Sequence, residues 1–460
     1  MRRPTALHPM GLRGLLAALV LVGATACSTA AEPAPPAAAP AGAPAAAPVA
    51  ATTAGLVETG VTVPAGMGAA PFDVPRAVLA PAGWTATVWA RVPKARLEIW
   101  APDGSMLVSL PGSGEVARLV PGANGAPPQQ TTLVGGLTQP HGMAFDGTTL
   151  YVAESDQVTA FTYANGTVSD QRVVVPGLPD DKSPDLRGAY AHALKSVVVG
   201  PDRALYVSVG STANVSPQDR DATPQRAAIL RVPPGSSTPE VFARGVRNGT
   251  GLAVAPDGRV WTAVNNRDNI PYPFHQPYGG DGDAFGQVIP GYVNDHPPEE
   301  LAALSPGRDL GWPYCNPQPD EQPGVPGSPL RQGDLPFVRD AETNPDGSRL
   351  DCGTLAPLEQ TFGAHSAPLG LSFTSLPGLG AGAVVGVHGS WNRTSPRAPE
   401  VSFFPWSGGR MGDQQTILGG FQAPDGSRWG RPVGAVTGPD GALYVSDDQA
   451  GAIYRVVPKA

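Results

Sequence analysis

Charge is scarce in this chain. Asp, Glu, Lys and Arg make up 15% of its 460 residues, and the formal net charge is −8. An acidic, weakly charged chain lacks the basic stripe that nucleic acid requires, so no nucleic-acid partner is expected. Cysteine is scarcer still: three residues, Cys27, Cys315 and Cys352. Beyond the first 26 residues no segment offers the ~18 apolar residues needed to span a bilayer. Helical periodicity is also lacking there: no segment carries apolar residues at i, i+3, i+4 and i+7 with caps. What is abundant is Gly, at 58, and Pro, at 54, as a turn-rich all-β fold requires.

One phrase recurs: a short apolar run, then Pro-Asp-Gly or a close variant, then an alternating Leu-Tyr-Val-Ser. Its copies centre on Asp103-Gly104, Asp146-Gly147, Asp202-Arg203, Asp257-Gly258 and Asp440-Gly441. A degenerate copy runs from Leu369-Gly370-Leu371 through a Gly-rich turn to Val384-Val385-Gly386-Val387-His388. The apolar run reads as a buried strand, Asp-Gly as a tight hairpin, and the alternating run as the next strand. Six copies, mostly about 45 to 65 residues apart, predict a six-bladed β-propeller over residues 65–460. The gap after Asp257 is about twice as long; it either hides a seventh blade or carries an insertion at about 267–360, and the insertion is favoured because 267–350 lack the phrase. An N-terminal strand is expected to close the ring by pairing with the last sheet.

The N-terminus reads as an export signal. Arg2, Arg3 and Arg13 precede the apolar run Leu15–Gly23, and Ala24-Thr25-Ala26-Cys27 closes it. Residues 1–27 are thus a signal peptide with a lipobox-like end, in which Cys27 is lipidated; an ordinary secretory cleavage at Ala-x-Ala is the alternative. Residues 28–60, rich in Ala and Pro, read as a tether that holds the domain off the membrane surface. The chain is expected to be exported and to meet a membrane only through this lipid anchor. Cys315 and Cys352 would then face an oxidising compartment and form a disulfide that clamps the insertion; two buried free thiols are the alternative.

Polar clusters flank the phrases at matching points: His192 and Lys195 before the third, Arg247-Asn248 before the fourth, Asn266-Arg267-Asp268 after it, His388-Gly389-Ser390-Trp391-Asn392-Arg393 after the degenerate copy, and Arg431 before the last. His141 and His365 also precede phrases. Equivalent positions of successive blades converge on the axis. Several Arg, Asn and His at one end of a channel suit a ligand with several carboxylates or phosphates, and a neutral His beside them can serve as a base. Each residue also has a plainer reading: a lone His as a hydrogen-bonded loop residue, an Arg as a cap on a blade edge, Trp391 as a filler between blades.

Together these motifs resemble the soluble pyrroloquinoline-quinone-dependent sugar dehydrogenases. His388-Gly389-Ser390-Trp391-Asn392-Arg393, Ala364-His365-Ser366-Ala367-Pro368 and Gly430-Arg431-Pro432-Val433-Gly434 resemble the sorbosone dehydrogenase branch. The resemblance implies oxidation of a sugar, aldose or hydroxyaldehyde by hydride transfer to pyrroloquinoline quinone (PQQ), with an external electron acceptor. It implies that His192 is the catalytic base. It gives Arg247, Asn248, Arg431 and either Asn392 or Arg393 to the quinone, and Ca²⁺ to carbonyls near Asn266 and Arg267, with Asp268 the nearby carboxylate. Lys195 joins the quinone set by placement, and His141, His365, His388 and Trp391 are candidate substrate contacts. Two features depart from the family: Gly249 stands where a Pro is usual, and Asn265 or Asn266 where an acid is usual. The alternatives from other classes are a Ca²⁺-dependent propeller lactonase and a non-catalytic, lipid-anchored binding propeller.

Overall fold

A computed structural model describes residues 55–458. Residues 1–54, where the signal peptide, the lipidated Cys27 and most of the tether were expected, lie outside the described residues. The tether expected at 28–60 ends earlier than its composition suggested, because Leu56–Thr62 is a strand paired with Ala77–Pro81.

Six sheets form six blades, with one separate two-stranded ribbon, Cys315–Pro317 against Phe337–Arg339. Blade 1 begins at Glu98–Trp100, blade 2 at Met143–Asp146, blade 3 at Val197–Val199, blade 4 at Gly251–Val254, blade 5 at Pro368–Leu376 and blade 6 at Pro432–Thr437. Each of these strands packs beside the first strand of a neighbouring blade and lines the axis. Blade 6 takes its outer strand, Thr85–Arg91, from the N-terminal side, antiparallel to the last strand Ala452–Val457. The ring is therefore closed by hydrogen bonds between the two ends of the propeller, as expected.

The recurring Asp does two jobs. Its Oδ1 accepts the backbone N–H two residues on, at Ser105, Ala204, Arg259 and Ala442 (3.0–3.2 Å), fixing the hairpin. In blades 1, 3 and 6 its carboxylate also holds a third-strand arginine: Arg118 on Asp103, Arg231 on Asp202 and Arg455 on Asp440, each at 2.8 Å. The next residue adopts a left-handed backbone, so Gly suits it; Arg203 takes the same place at φ 60°. Apolar clusters fill the space between blades, with edge-on aromatic pairs such as Trp89–Tyr444 and Trp261–Trp406.

The long segment at 267–360 is not wholly an insertion. It supplies blade 4 with its own outer strands, Glu300–Ala303 and Leu358–Thr361, and adds Arg308–Asp309 to the edge of blade 3. Part of the remainder, with Tyr314, Leu335 and Phe337, joins the core between blades 3 and 4, and part gathers around Tyr272, Tyr292, Val293 and Ile270. Cys315 and Cys352 are disulfide-bonded within it.

Candidate active site

His192 lies on the loop that leads into blade 3. Its Nδ1 is 2.9 Å from both the carbonyl and the hydroxyl oxygen of Ser211. The carbonyl can only accept, and the hydroxyl's one hydrogen is directed to the Ala213 carbonyl at 2.8 Å. Nδ1 must therefore carry the proton, which leaves the lone pair on Nε2. Burial, reinforced by the Arg247 charge, pushes the imidazole down to about 3, so this tautomer is neutral at any ordinary pH. Gly210 makes the arrangement possible: a Cβ there would lie 2.6 Å from His192 Cβ and 3.0 Å from Asn248 Oδ1.

Arg247 is buried beside it. Its guanidinium donates to the carbonyls of Asn214 (3.2 Å), Asn265 (3.0 Å) and Asn266 (2.6 Å), and to Asn214 Oδ1 (3.0 Å). Burial lowers it to about 10, opposed by Asp268 and Glu299, so the charge is kept at neutral pH. Asn214 is the hub: its Oδ1 also accepts the Asp268 N–H at 2.8 Å, and its Nδ2 donates to the Asp268 carbonyl at 2.9 Å. Gly249 has a packing reason to replace proline, since a Cβ there would stand 2.6 Å from Thr262 Oγ1 and 2.7 Å from Val246 Cγ1.

The network continues through Asp268. Its Oδ1 is 3.2 Å from His365 Nδ1 and 3.3 Å from Asn392 Nδ2. Burial works against its charge, but the His365 hydrogen bond prevails and holds the carboxyl below its usual range. His365 Nε2 reaches the Val293 carbonyl at 2.7 Å. Arg393 donates to the Asn294 carbonyl at 2.5 Å and pairs with Asp295 at 3.1 Å, so its charge pins the short helical turn Pro290–Val293 to blade 5.

A second network belongs to blades 5, 6 and 1. Arg431 Nε donates to the His388 carbonyl at 2.9 Å, His388 Nε2 to Asp448 at 2.8 Å, and Arg96 to the other Asp448 oxygen at 2.8 Å. The backbone of Arg431 is held by buried Asp447 at 2.9 Å. The two networks meet where the N–H groups of His388 and Gly389 bond to the carbonyls of Ala367 and Ser366, next to His365.

Part of the predicted metal set is already committed. Asn266 O accepts from Arg247, Asn266 Oδ1 from the Arg267 N–H at 2.8 Å, and Asp268 is shared as above. Arg267 itself is buried in ion pairs with Asp340 (2.6 Å) and Glu342 (2.7 Å). A Ca²⁺ at Asn266 O would have to share that carbonyl with the Arg247 guanidinium. The donor set does fit a quinone polycarboxylate, with Arg247 and Arg431 as cations, Asn248 as an amide and His192 as a neutral acceptor.

The family model described as TrAA12-like matches residues 78–459. The chain belongs to the TrAA12-like family. A pyrroloquinoline quinone-dependent pyranose dehydrogenase of Coprinopsis cinerea is 24% identical over 432 aligned positions, covering 76% of this TrAA12-like chain and 56% of that protein. The chain thus spans little more than half the length of that curated relative. The iodide structure of the Trichoderma reesei Carbohydrate-Active Enzymes Family AA12 protein superposes with a TM-score of 0.67 at 23% identity, over 83% of this chain and 98% of that one. The holo form of the pyranose dehydrogenase PQQ domain from Coprinopsis cinerea gives 0.65 at 21%, over 83% and 97%. At these identities the two structures attest the six-bladed fold.

Within this TrAA12-like chain the structure gathers His192, Arg247, Asn248, Asp268, Asn392 and His365 into one network, with Arg393 at its edge. Arg431 and His388 form the neighbouring network. Two of the remaining candidates, Lys195 and His141, are used elsewhere. Lys195 is buried, with Nζ on its own loop at the Ala193 carbonyl (2.5 Å) and over the Tyr190 ring; burial lowers it to about 7. His141 is fully buried with Nδ1 at 3.2 Å from the Lys195 carbonyl, and Trp391 is half exposed. Sequence reasoning missed Ser211, Asn214, Asp448 and Arg96. Asp448 and Arg96 carried the one available signal, charge beside a strand end; Ser211 and Asn214 carried none.

Proposed function

We propose that this protein is a quinoprotein dehydrogenase that oxidises a sugar, aldose or hydroxyaldehyde, using PQQ and passing electrons to an external acceptor. The observation that carries this reading is the fixed neutral tautomer of His192 beside Arg247 and Asn248. The TrAA12-like membership and the named activity of the pyranose dehydrogenase relative support it. Bound PQQ would supply a two-electron hydride acceptor. Arg247, Asn248 and Arg431 would hold its oxygens and carboxylates, with Asn392 at the rim.

The chain's own part is proton handling and orientation. Removing a hydride from a C–H bond requires the adjoining hydroxyl to lose its proton, and His192 Nε2 is the lone pair placed for that. Ser211 holds the ring so that Nε2 cannot exchange roles with Nδ1. A hydrolase built on a ring of carboxylates is not favoured: among the described residues no three His, Cys, Asp or Glu are grouped for a metal.

Mixing purified protein with PQQ tests this reading. A bound-quinone absorbance that bleaches on adding aldoses is expected. Absence of any quinone binding, with and without added Ca²⁺, would overturn it.

A further inference from the structure

A cavity of ≈ 350 Å³ lies beside the Arg431 network. Pockets for small ligands span about 300–1,000 Å³. Arg76, Ser427, Arg428, Trp429 and Gln449 line this one. Trp429 stands two residues before Arg431, and Gln449 directly follows Asp448. At ~3.8 Å per residue, the wall and the network's backbone are no more than about 8 Å apart. Two of the lining residues are arginines, and none carries a carboxylate. In a chain of net charge −8 such a pocket invites an anion.

The Arg76 guanidinium is fixed, and its fork is unspent. Its Nε donates to the Pro71 carbonyl at 2.8 Å, and the group lies 5.6 Å from the centroid of the Trp429 ring. Among the described residues it makes no other hydrogen bond and no ion pair. A planar fork with two open terminal nitrogens matches a carboxylate bidentately. Trp429 is pinned as well: Nε1 donates to the Gly420 carbonyl at 2.9 Å, Phe72 meets the ring edge-on and Phe421 tilts against it. An indole gives the C–H face of a sugar ring an apolar surface to lie on. Ser427 Oγ donates to Asp425, and Gln449 Nε2 to the Arg428 carbonyl, both at 2.6 Å. Their oxygens keep lone pairs that can accept from sugar hydroxyls. Arg428 ties this wall to blade 5: Nε donates to Gln422 Oε1 at 2.9 Å, and a terminal nitrogen bonds the Ser390 carbonyl, next to Trp391.

We propose that this pocket binds the uronate unit of an acidic saccharide, with the carboxylate on the Arg76 fork, the C–H face on Trp429 and ring hydroxyls on Ser427 and Gln449. The adjoining sugar unit would lie toward Arg431, which makes uronate-containing oligosaccharides the substrate class. That last step rests on the dehydrogenase reading; the binding itself does not.

Calorimetric titration of the quinone-free chain with galacturonate tests the site, with galactose, acetate and benzoate as comparisons. Galacturonate should bind more tightly than each by about tenfold or more, and Arg76→Gln should lose about that factor. Arg76→Lys, which keeps the charge without the fork, should fall between. The proposal fails if galacturonate does not bind, if any comparison compound binds as tightly, or if Arg76→Gln binds galacturonate like the parent. In the quinone-loaded enzyme, digalacturonate should be preferred over a neutral disaccharide, and Arg76→Gln should cut that kcat/KM ratio about tenfold, through KM. An equal ratio in parent and variant would overturn the substrate assignment. A chain that takes up no PQQ fails the dehydrogenase reading alone, because the calorimetry uses none.

Discussion

At the scale of single residues, the site works by removing choices. His192 cannot take the other tautomer, because Ser211 presents only acceptors to Nδ1. Arg247 cannot swing away without breaking bonds to three carbonyls. A group held near 3 stays neutral as pH falls from 7 to 4, so it contributes no acid limb in that range. We therefore expect kcat/KM of the quinone-loaded enzyme to show no limb from His192 above about pH 4. A limb near pH 6 that disappears in His192→Asn would show that the imidazole titrates normally. Arg247→Met should lose quinone binding outright, measured by absorbance titration, with the fold preserved by circular dichroism; tight binding in that variant would place the quinone elsewhere. His192, Arg247 and Asn248 stood out in the sequence because they precede successive repeats, and the structure puts them side by side; their roles were read from the family resemblance. Ser211 and Asn214 were not, because their roles rest on backbone carbonyls and on a loop path no spacing encodes. Lys195 and Arg393 read as ligand cations, yet their charges are spent on Ala193 and on Asn294 and Asp295.

At the scale of elements, the segment after blade 4's hairpin carries both scaffold and wall. Its strands Glu300–Ala303 and Leu358–Thr361 complete blade 4, while the turn Pro290–Val293 abuts His365 and Arg393. The two strands escaped the sequence reading because each is four residues long and lacks the Asp-Gly hairpin that marked the others. The disulfide was legible, since an exported, lipidated chain would leave only these two cysteines to pair. It closes a loop with a sequence separation of 37. In the chain-entropy account such a loop stabilises by about 4 kcal/mol. Replacing Cys315 and Cys352 by Ser should lower stability by up to that amount in urea unfolding, with the first loss in hydrogen-exchange protection around 315–352. An unchanged midpoint would mean that the cluster around Tyr272 and Tyr292 holds the segment alone.

At the scale of the whole molecule, the ring is closed twice. Thr85–Arg91 completes blade 6, and the N–H and carbonyl of Leu79 bridge to Gly419 of blade 5 at 2.9 and 2.8 Å. The fold was legible because five Asp-marked hairpins and one Gly-rich variant repeat one pattern, and a strand that cannot bury both faces alone must find a neighbouring blade. A chain starting at Pro93 should leave Ala452–Val457 as an open edge and lose its cooperative unfolding transition; a sharp transition near the parent's midpoint would refute closure as the source of stability. The central claim, that a neutral His192 beside the Arg247 network takes the hydroxyl proton during sugar oxidation, is most directly tested by rapid mixing of quinone-loaded His192→Asn with substrate. Bleaching of the quinone should slow by 10²–10⁴-fold with quinone affinity unchanged, whereas bleaching at the parent rate would contradict the account.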